Sequence, residues 1–251
     1  MQNIYILYHH YDTDDDFSAR YSHYLNAEQK KRAAEYRVAK ARMCHVSSRA
    51  LLNAAFRQFL SCDVNQLELE WVRNQKPHIV TPGYDHWQFN VSHANGLSAM
   101  ILTENLQVGI DVESIDRKAQ PLEIAKSFFH LGEYVMLQQC ETTQAQQHYF
   151  FKIWTFKEAY LKALGVGLAK SLKSFQIDIH QNHFDFKSEQ VSEYDFLYCD
   201  QWMFAKDVMC TYVVLSNEAL PFRVFVYSYD IAKNSFCLQS DSTEIHKLDL
   251  A

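Results

Sequence analysis

FFKIWTFKEAYLKALGVG, residues 150–167, is the stretch from which the rest of the chain can be read. Trp154, Glu158 and Lys162 recur every four residues, so on a helix one face stacks an aromatic, a carboxylate and an ammonium in successive turns. Gly165 and Gly167 then supply the left-handed conformation that ends such a helix. An earlier stretch, VGIDVE at 108–113, has the period of a strand: Val108, Ile110 and Val112 face one way, and Asp111 and Glu113 face the other. Taken singly, each is ordinary: an i,i+4 ion pair on a helix, a solvated face on a strand, a core tryptophan. Together they let the carboxylates of Asp111, Glu113 and Glu158 meet the ammonium of Lys162 between one strand and one helix. That set suits a magnesium ion and a pyrophosphate.

Working outward, residues 3–8 predict a first strand and Asp12–Asp16 an acidic turn that lacks the glycine and distal glutamate of a calcium loop. A helical pattern runs from Ala27 to about Leu60, capped by Asn26 and broken somewhere inside. LELEWVR at 67–73 alternates as a strand, and NQKP begins a turn that carries Arg73 and Lys76 near its tip. In WQFNVSHANGLSAMILTE, Ala94-Asn95-Gly96 joins two strands and leaves Ser92 and His93 at a strand end. Adjacent strand residues point to opposite faces, so this Ser-His pair is no hydrolytic dyad. LEIAKSFFHLGEYVMLQQ at 122–139 predicts one or two short helices interrupted near Gly132, with Glu133 just beyond. Strands follow between 175 and 231, and the last twenty residues are polar and expected to be peripheral.

Runs of strands beside segregated helices indicate an α+β fold. No G-x-G-x-x-G or P-loop pattern is present, which excludes those nucleotide sites. With 251 residues, 48% of them apolar, and few Gly or Pro, two packed halves are expected: 1–117, 118–233, and a tail at 234–251. The net charge of -6 argues against nucleic acid as a partner, although KKRAAEYRVAKARMCHVSSR at 30–49 is a local basic stretch suited to a compact phosphate-rich ligand or an acidic protein. The N-terminus has neither a signal-peptide pattern nor a membrane-spanning run, so a cytoplasmic protein is expected, with its six scattered cysteines reduced and buried.

Five ordered motifs, QKP at 75–77, FNVSH at 89–93, GIDVE at 109–113, LEIAKSFFHLGEY at 122–134 and WTFKEAYLKALGVGL at 154–168, resemble those of the surfactin-type 4'-phosphopantetheinyl transferases. The resemblance spans roughly residues 4–217. It implies a pseudo-twofold pair of similar α+β subdomains with the active site between them. It also implies transfer of 4'-phosphopantetheine from coenzyme A to a serine of an apo acyl or peptidyl carrier protein, by a magnesium-dependent monomer. By the same resemblance Asp111, Glu113 and Glu158 are metal ligands, and Lys162 contacts the coenzyme A phosphates. Lys76, with Arg73 in the same turn, and the Ser92–His93 pair lie near the nucleotide phosphates. Arg32 and His45 are contacts from the first helix, and Glu133 or Glu158 is the base. Asn53 stands where the family commonly has arginine. Two other readings of the same residues are a metal-dependent phosphoesterase acting on coenzyme A and an inactive carrier-binding module.

Overall fold

The computed structural model describes residues 1–11, 16–70, 76–94, 96–115, 120–167, 170–180, 183–188, 192–204, 207–243 and 245–250. In chain order the elements are β1 (Gln2–His10), α1 (Phe17–Tyr21), α2 (Ala27–Glu35), α3 (Ala39–Phe59), β2 (Leu69–Glu70), β3 (His78–Ile79), β4 (Trp87–Ala94), β5 (Leu97–Glu104) and β6 (Gln107–Ser114). They continue with α4 (Pro121–Phe128), α5 (Leu131–Gln138), α6 (Thr143–Leu164), β7 (Phe175–His180), β8 (His183–Ser188), β9 (Phe196–Phe204), β10 (Val208–Ser216), β11 (Phe222–Asp230), β12 (Ser235–Ser242) and β13 (His246–Asp249). The result is a mixed α+β chain. Among the described residues no helix is long and apolar enough to cross a membrane.

The chain forms two units. The first holds residues 1–72, 77–105 and 222–243; the second holds 73–76, 106–221 and 244–251. This division differs from the expected halves at 1–117 and 118–233, and the strand pairing explains why. β6 pairs antiparallel with β10, with Asp111 opposite Thr211, so the GIDVE strand opens the second unit instead of closing the first. β11 returns to lie parallel to β1. The tail adds an edge strand to each sheet: β12 pairs with β11 and β13 with β9. β12 is an exposed edge strand, which has no buried face to demand apolar alternation and therefore leaves a polar sequence.

In the first unit a five-stranded sheet of order β12-β11-β1-β5-β4 carries α3. Leu51, Leu52, Ala55 and Phe56 of α3 are buried with Leu7, Phe89, Met100 and Leu102 of the strands. The break expected inside 27–60 falls at Tyr36–Val38, between α2 and α3. Asn26 caps α2 reciprocally with Gln29. The hairpin register sets Ala94 opposite Leu97, and Gly96 takes φ +77° in the turn.

In the second unit α6 lies against β6 and β10 of the four-stranded sheet β13-β9-β10-β6. The approach is close because residue 109 is glycine: a Cβ there would overlap the Ala159 carbonyl oxygen and the Ala163 nitrogen. A buried polar knot fixes the contact, with the Thr155 hydroxyl 2.7 Å from the Thr211 hydroxyl and Gln201 donating to both. The break expected near Gly132 falls at Phe129–His130, and Gly132 sits in the first turn of α5, tight against the Gln176 side chain. Of the six cysteines, all thiols, Cys44, Cys62, Cys199 and Cys210 are buried; Cys140 is half-buried and Cys237 exposed, contrary to the expectation for all six.

Candidate functional site

α6 is one long helix because Thr142 caps its start through Ala145 and Gly165, at φ +72°, ends it. Its buried positions leave Trp154, Glu158 and Lys162 as a half-buried row, the face foreseen from the four-residue spacing. β6 presents Asp111, buried, and Glu113, half-buried, to the same contact. Lys162 Nζ donates to Asp111 Oδ1 at 2.6 Å and to the Ile110 carbonyl at 3.1 Å, which ties the helix to the strand through a charge-assisted bond. The Trp154 indole N–H donates to Glu113 Oε1 at 3.2 Å, and its ring stacks on Phe150. Tryptophan thus orients a carboxylate as well as filling space.

Glu158 feels all of these charges. Burial pushes its pKa up, Asp111 and Glu113 add to the rise by repulsion, and Lys162 opposes it. Asp111, Glu113 and Glu158 together are the kind of oxygen donor set that a hard divalent cation takes. Among the described residues no three such groups already stand in cation-binding geometry; Lys162 and Trp154 hold the oxygens instead. Lys76, also in this unit, donates to Gln107 Oε1 on β6 at 3.5 Å, and burial of its ammonium lowers its pKa to about 7.

Glu133, the other base expected from the resemblance, has a set of partners of its own. Its Oε1 takes the Lys157 ammonium at 2.9 Å and the Ile177 N–H at 2.8 Å, and its Oε2 takes the His130 N–H at 2.9 Å. Both side chains of the pair are 0% exposed. Lys157 also donates to the carbonyls of Leu172 and Phe175 and lies over the Phe175 ring. Burial raises the Glu133 pKa and lowers that of Lys157 to about 8, against their mutual attraction. The pair fastens α5, α6 and β7 together. A lysine on the core side of α6 was the sequence signal for it.

The first unit carries two adjoining cavities that share Tyr36, His45 and Arg49. One, of about 650 Å³, is lined also by Lys31, Arg32 and Glu35. The other, of about 270 Å³, is lined also by Phe89, Asn90 and His93. Arg32 is held by Glu35 at 2.6 Å on the exposed rim. His45 Nε2 lies 3.1 Å from the Gln29 carbonyl, and burial, followed by Arg49, Arg32 and His93, lowers its pKa. Ser92 is buried whereas His93 is exposed, as their alternation on β4 requires. Asn53 is spent on scaffolding: it donates to the Tyr24 carbonyl and exchanges bonds with the Gln29 amide. Arg73 and the acidic positions Asp12–Asp15 lie outside the described residues. Arg49 was not singled out from the sequence, although it lies one helical turn after His45 at the end of the basic stretch.

Comparison with known proteins agrees with the motifs. A family model described as 4'-phosphopantetheinyl transferase superfamily matches residues 107–213. A second, described as 4'-phosphopantetheinyl transferase, N-terminal, matches residues 12–105. The 4'-phosphopantetheinyl transferase HetI of a Nostoc strain is 30% identical over 147 residues, covering 58% of this chain and 62% of that protein. The 4'-phosphopantetheinyl transferase gsp of Aneurinibacillus migulanus is 40% identical over 93 residues, covering 37% and 38%. The chain thus spans less than two thirds of the length of these two relatives. With Sfp of Bacillus subtilis the identity is 26% over 179 residues, covering 71% of this chain and 77% of that one. Matched in consecutive segments by two models of one family, the chain belongs to the 4'-phosphopantetheinyl transferase superfamily.

Proposed function

We propose that the chain transfers the 4'-phosphopantetheine group of coenzyme A to a serine hydroxyl of an apo acyl or peptidyl carrier protein, releasing adenosine 3',5'-bisphosphate, and that it does so as a cytoplasmic monomer. The observation that carries this reading is the single contact between β6 and α6 at which Asp111 meets Lys162 and, with Glu113, perturbs Glu158. Asp111, Glu113 and Glu158 would hold a magnesium ion, and when bound that ion supplies charge neutralisation at the pyrophosphate. Lys162 adds a fixed ammonium, and Lys76 a desolvated one that gains its proton firmly when an anion arrives.

In the transfer, the serine oxygen forms a bond to the phosphorus that bears pantetheine. The bond from that phosphorus to the bridging oxygen breaks, and its electron pair leaves with the bisphosphate. The serine proton goes to Glu158, through the carboxylate oxygen that a bound ion would leave free, while Glu133 is committed to Lys157.

The test is the intact mass of an apo acyl carrier protein incubated with this protein and coenzyme A, with magnesium and with chelator. A magnesium-dependent gain of one phosphopantetheine is expected, lost in folded Asp111→Ala and Glu158→Ala. Coenzyme A consumed without carrier modification would replace the reading by a phosphoesterase; coenzyme A untouched across fatty-acid, polyketide and peptide carriers would leave a binding module.

A further inference from the structure

β10 is buried from Val208 to Ser216, and Thr211, 0% exposed, sets a hydroxyl in its middle. In the sheet Thr211 stands opposite Asp111 of β6 on one side and Gln201 of β9 on the other. Cross-strand partners share a face, here the face that carries α6. Thr155, also buried, meets this row from α6, three residues before Glu158 and so beside it on the helix. A carboxylate, a hydroxyl and an amide thus lie in line beneath the part of α6 that carries Glu158.

The hydrogens of this group can be assigned completely. The Thr155 hydroxyl donates to the Phe151 carbonyl at 2.8 Å, so the Thr211 hydroxyl donates to Thr155 at 2.7 Å. Gln201 Nε2 donates one hydrogen to Thr211 Oγ1 at 2.7 Å and turns the other to the Lys152 carbonyl at 2.9 Å, with Thr155 Oγ1 at 3.1 Å. A carbonyl has no hydrogen to give, which fixes the orientation of the amide. The run of donation ends on the backbone of α6. Stability alone does not require it, since apolar side chains of the same shape can replace a bonded set at nearly equal free energy. What they would lack is direction. Apolar contact tolerates rotation and slip of a helix, whereas these bonds hold only within narrow limits of distance and angle.

We propose that Gln201 is a positioning residue for the transfer: through Thr155 and Thr211 it sets the rotation of α6 over β10 and β6, and so the place of Glu158 relative to Asp111. The inference rests on the transferase reading and deepens it. On the C-terminal side of Glu158 the same two elements are fixed by Lys162 on Asp111 and by the close approach of Gly109 to Ala159 and Ala163. The Gln201 amide is the fastening on the other side. With one end alone secured, Glu158 could swing about the contact while the fold persisted.

The experiment compares the full chain with Gln201→Met, Thr155→Val and Thr155→Ser, each checked for folding by circular dichroism. Two quantities are measured: steady-state transfer from coenzyme A to an apo carrier protein, and binding of manganese(II), read from the paramagnetic resonance of the free ion. Gln201→Met and Thr155→Val should lose about 10- to 100-fold in kcat and about tenfold in manganese affinity, with KM for coenzyme A within about twofold, the range seen when a residue that orients a metal ligand is removed. Thr155→Ser keeps the hydroxyl and should keep both at the wild-type level. A lowered unfolding midpoint with kcat and manganese affinity unchanged, or equal losses in Thr155→Ser and Thr155→Val, overturns the positioning role and leaves the transferase reading standing. If Gln201→Met and Thr155→Val do not fold, Gln201→Asn, which draws the amide back by one methylene, carries the test with the same expected losses. A wild type that binds manganese without modifying any carrier overturns the transferase reading, and the manganese comparison still decides the part played by Gln201. A wild type that does neither overturns both.

Discussion

Glu133 and Lys157 separate two roles that residue type alone confuses. A carboxylate beside a metal-binding motif is a natural candidate for a base, yet this one spends its oxygens on Lys157, Ile177 and His130. Glu133→Gln preserves shape and leaves the ammonium of Lys157 buried without its counter-charge, a change that costs about 3–5 kcal/mol in comparable pairs. The expected outcome is a lower denaturant midpoint with turnover per folded molecule retained. Loss of turnover at unchanged stability would restore Glu133 to the chemistry. At this scale the sequence was informative where spacing fixes direction: Trp154, Glu158 and Lys162 share one face as four-residue steps demand. It did not give the bonding partners of Arg32, His45 and Glu133, because partners such as Glu35 and Gln29 depend on which helix face turns toward which neighbour.

At the scale of elements, the contact between β6 and α6 depends on a missing side chain. Gly109→Ala would set a methyl against the backbone of Ala159 and Ala163, and a helix backbone has no rotamer with which to yield. Overpacking of this kind costs typically about 1–3 kcal/mol. It would also lift Lys162 from Asp111, so both the unfolding midpoint and turnover should fall together in Gly109→Ala. A drop in stability with full turnover would mean that the distance between the two elements is not critical. Most elements could be foreseen, since capping, turn and periodic signals are local: Asn26, the Asn-Gly turn and the α6 C-cap are examples. The edge strand β12 could not. Exposed edges carry no face that hydrophobic alternation must mark.

At the scale of the whole molecule, the chain enters each unit more than once. The units divide elsewhere than after residue 117 because a strand's neighbours are chosen by pairing over long separations, and β6 could as well have followed β5 in the first sheet as joined β10 in the second. A fragment of residues 1–105 therefore lacks β11 and β12, and β1 in it would expose an unpaired edge of backbone donors and acceptors. Such a fragment should aggregate or lack a cooperative unfolding transition, as monitored by circular dichroism and light scattering. A soluble fragment with a sharp transition would make the parallel β1–β11 pairing dispensable.

That pairing has a consequence during synthesis. A ribosome makes β1 before Phe222–Asp230, so one flank of β1 waits for its partner while residues 11–221 are made. Throughout that interval the nascent chain presents a sticky border that trigger-type chaperones would have to shield, and slow codons within the second unit would lengthen its exposure.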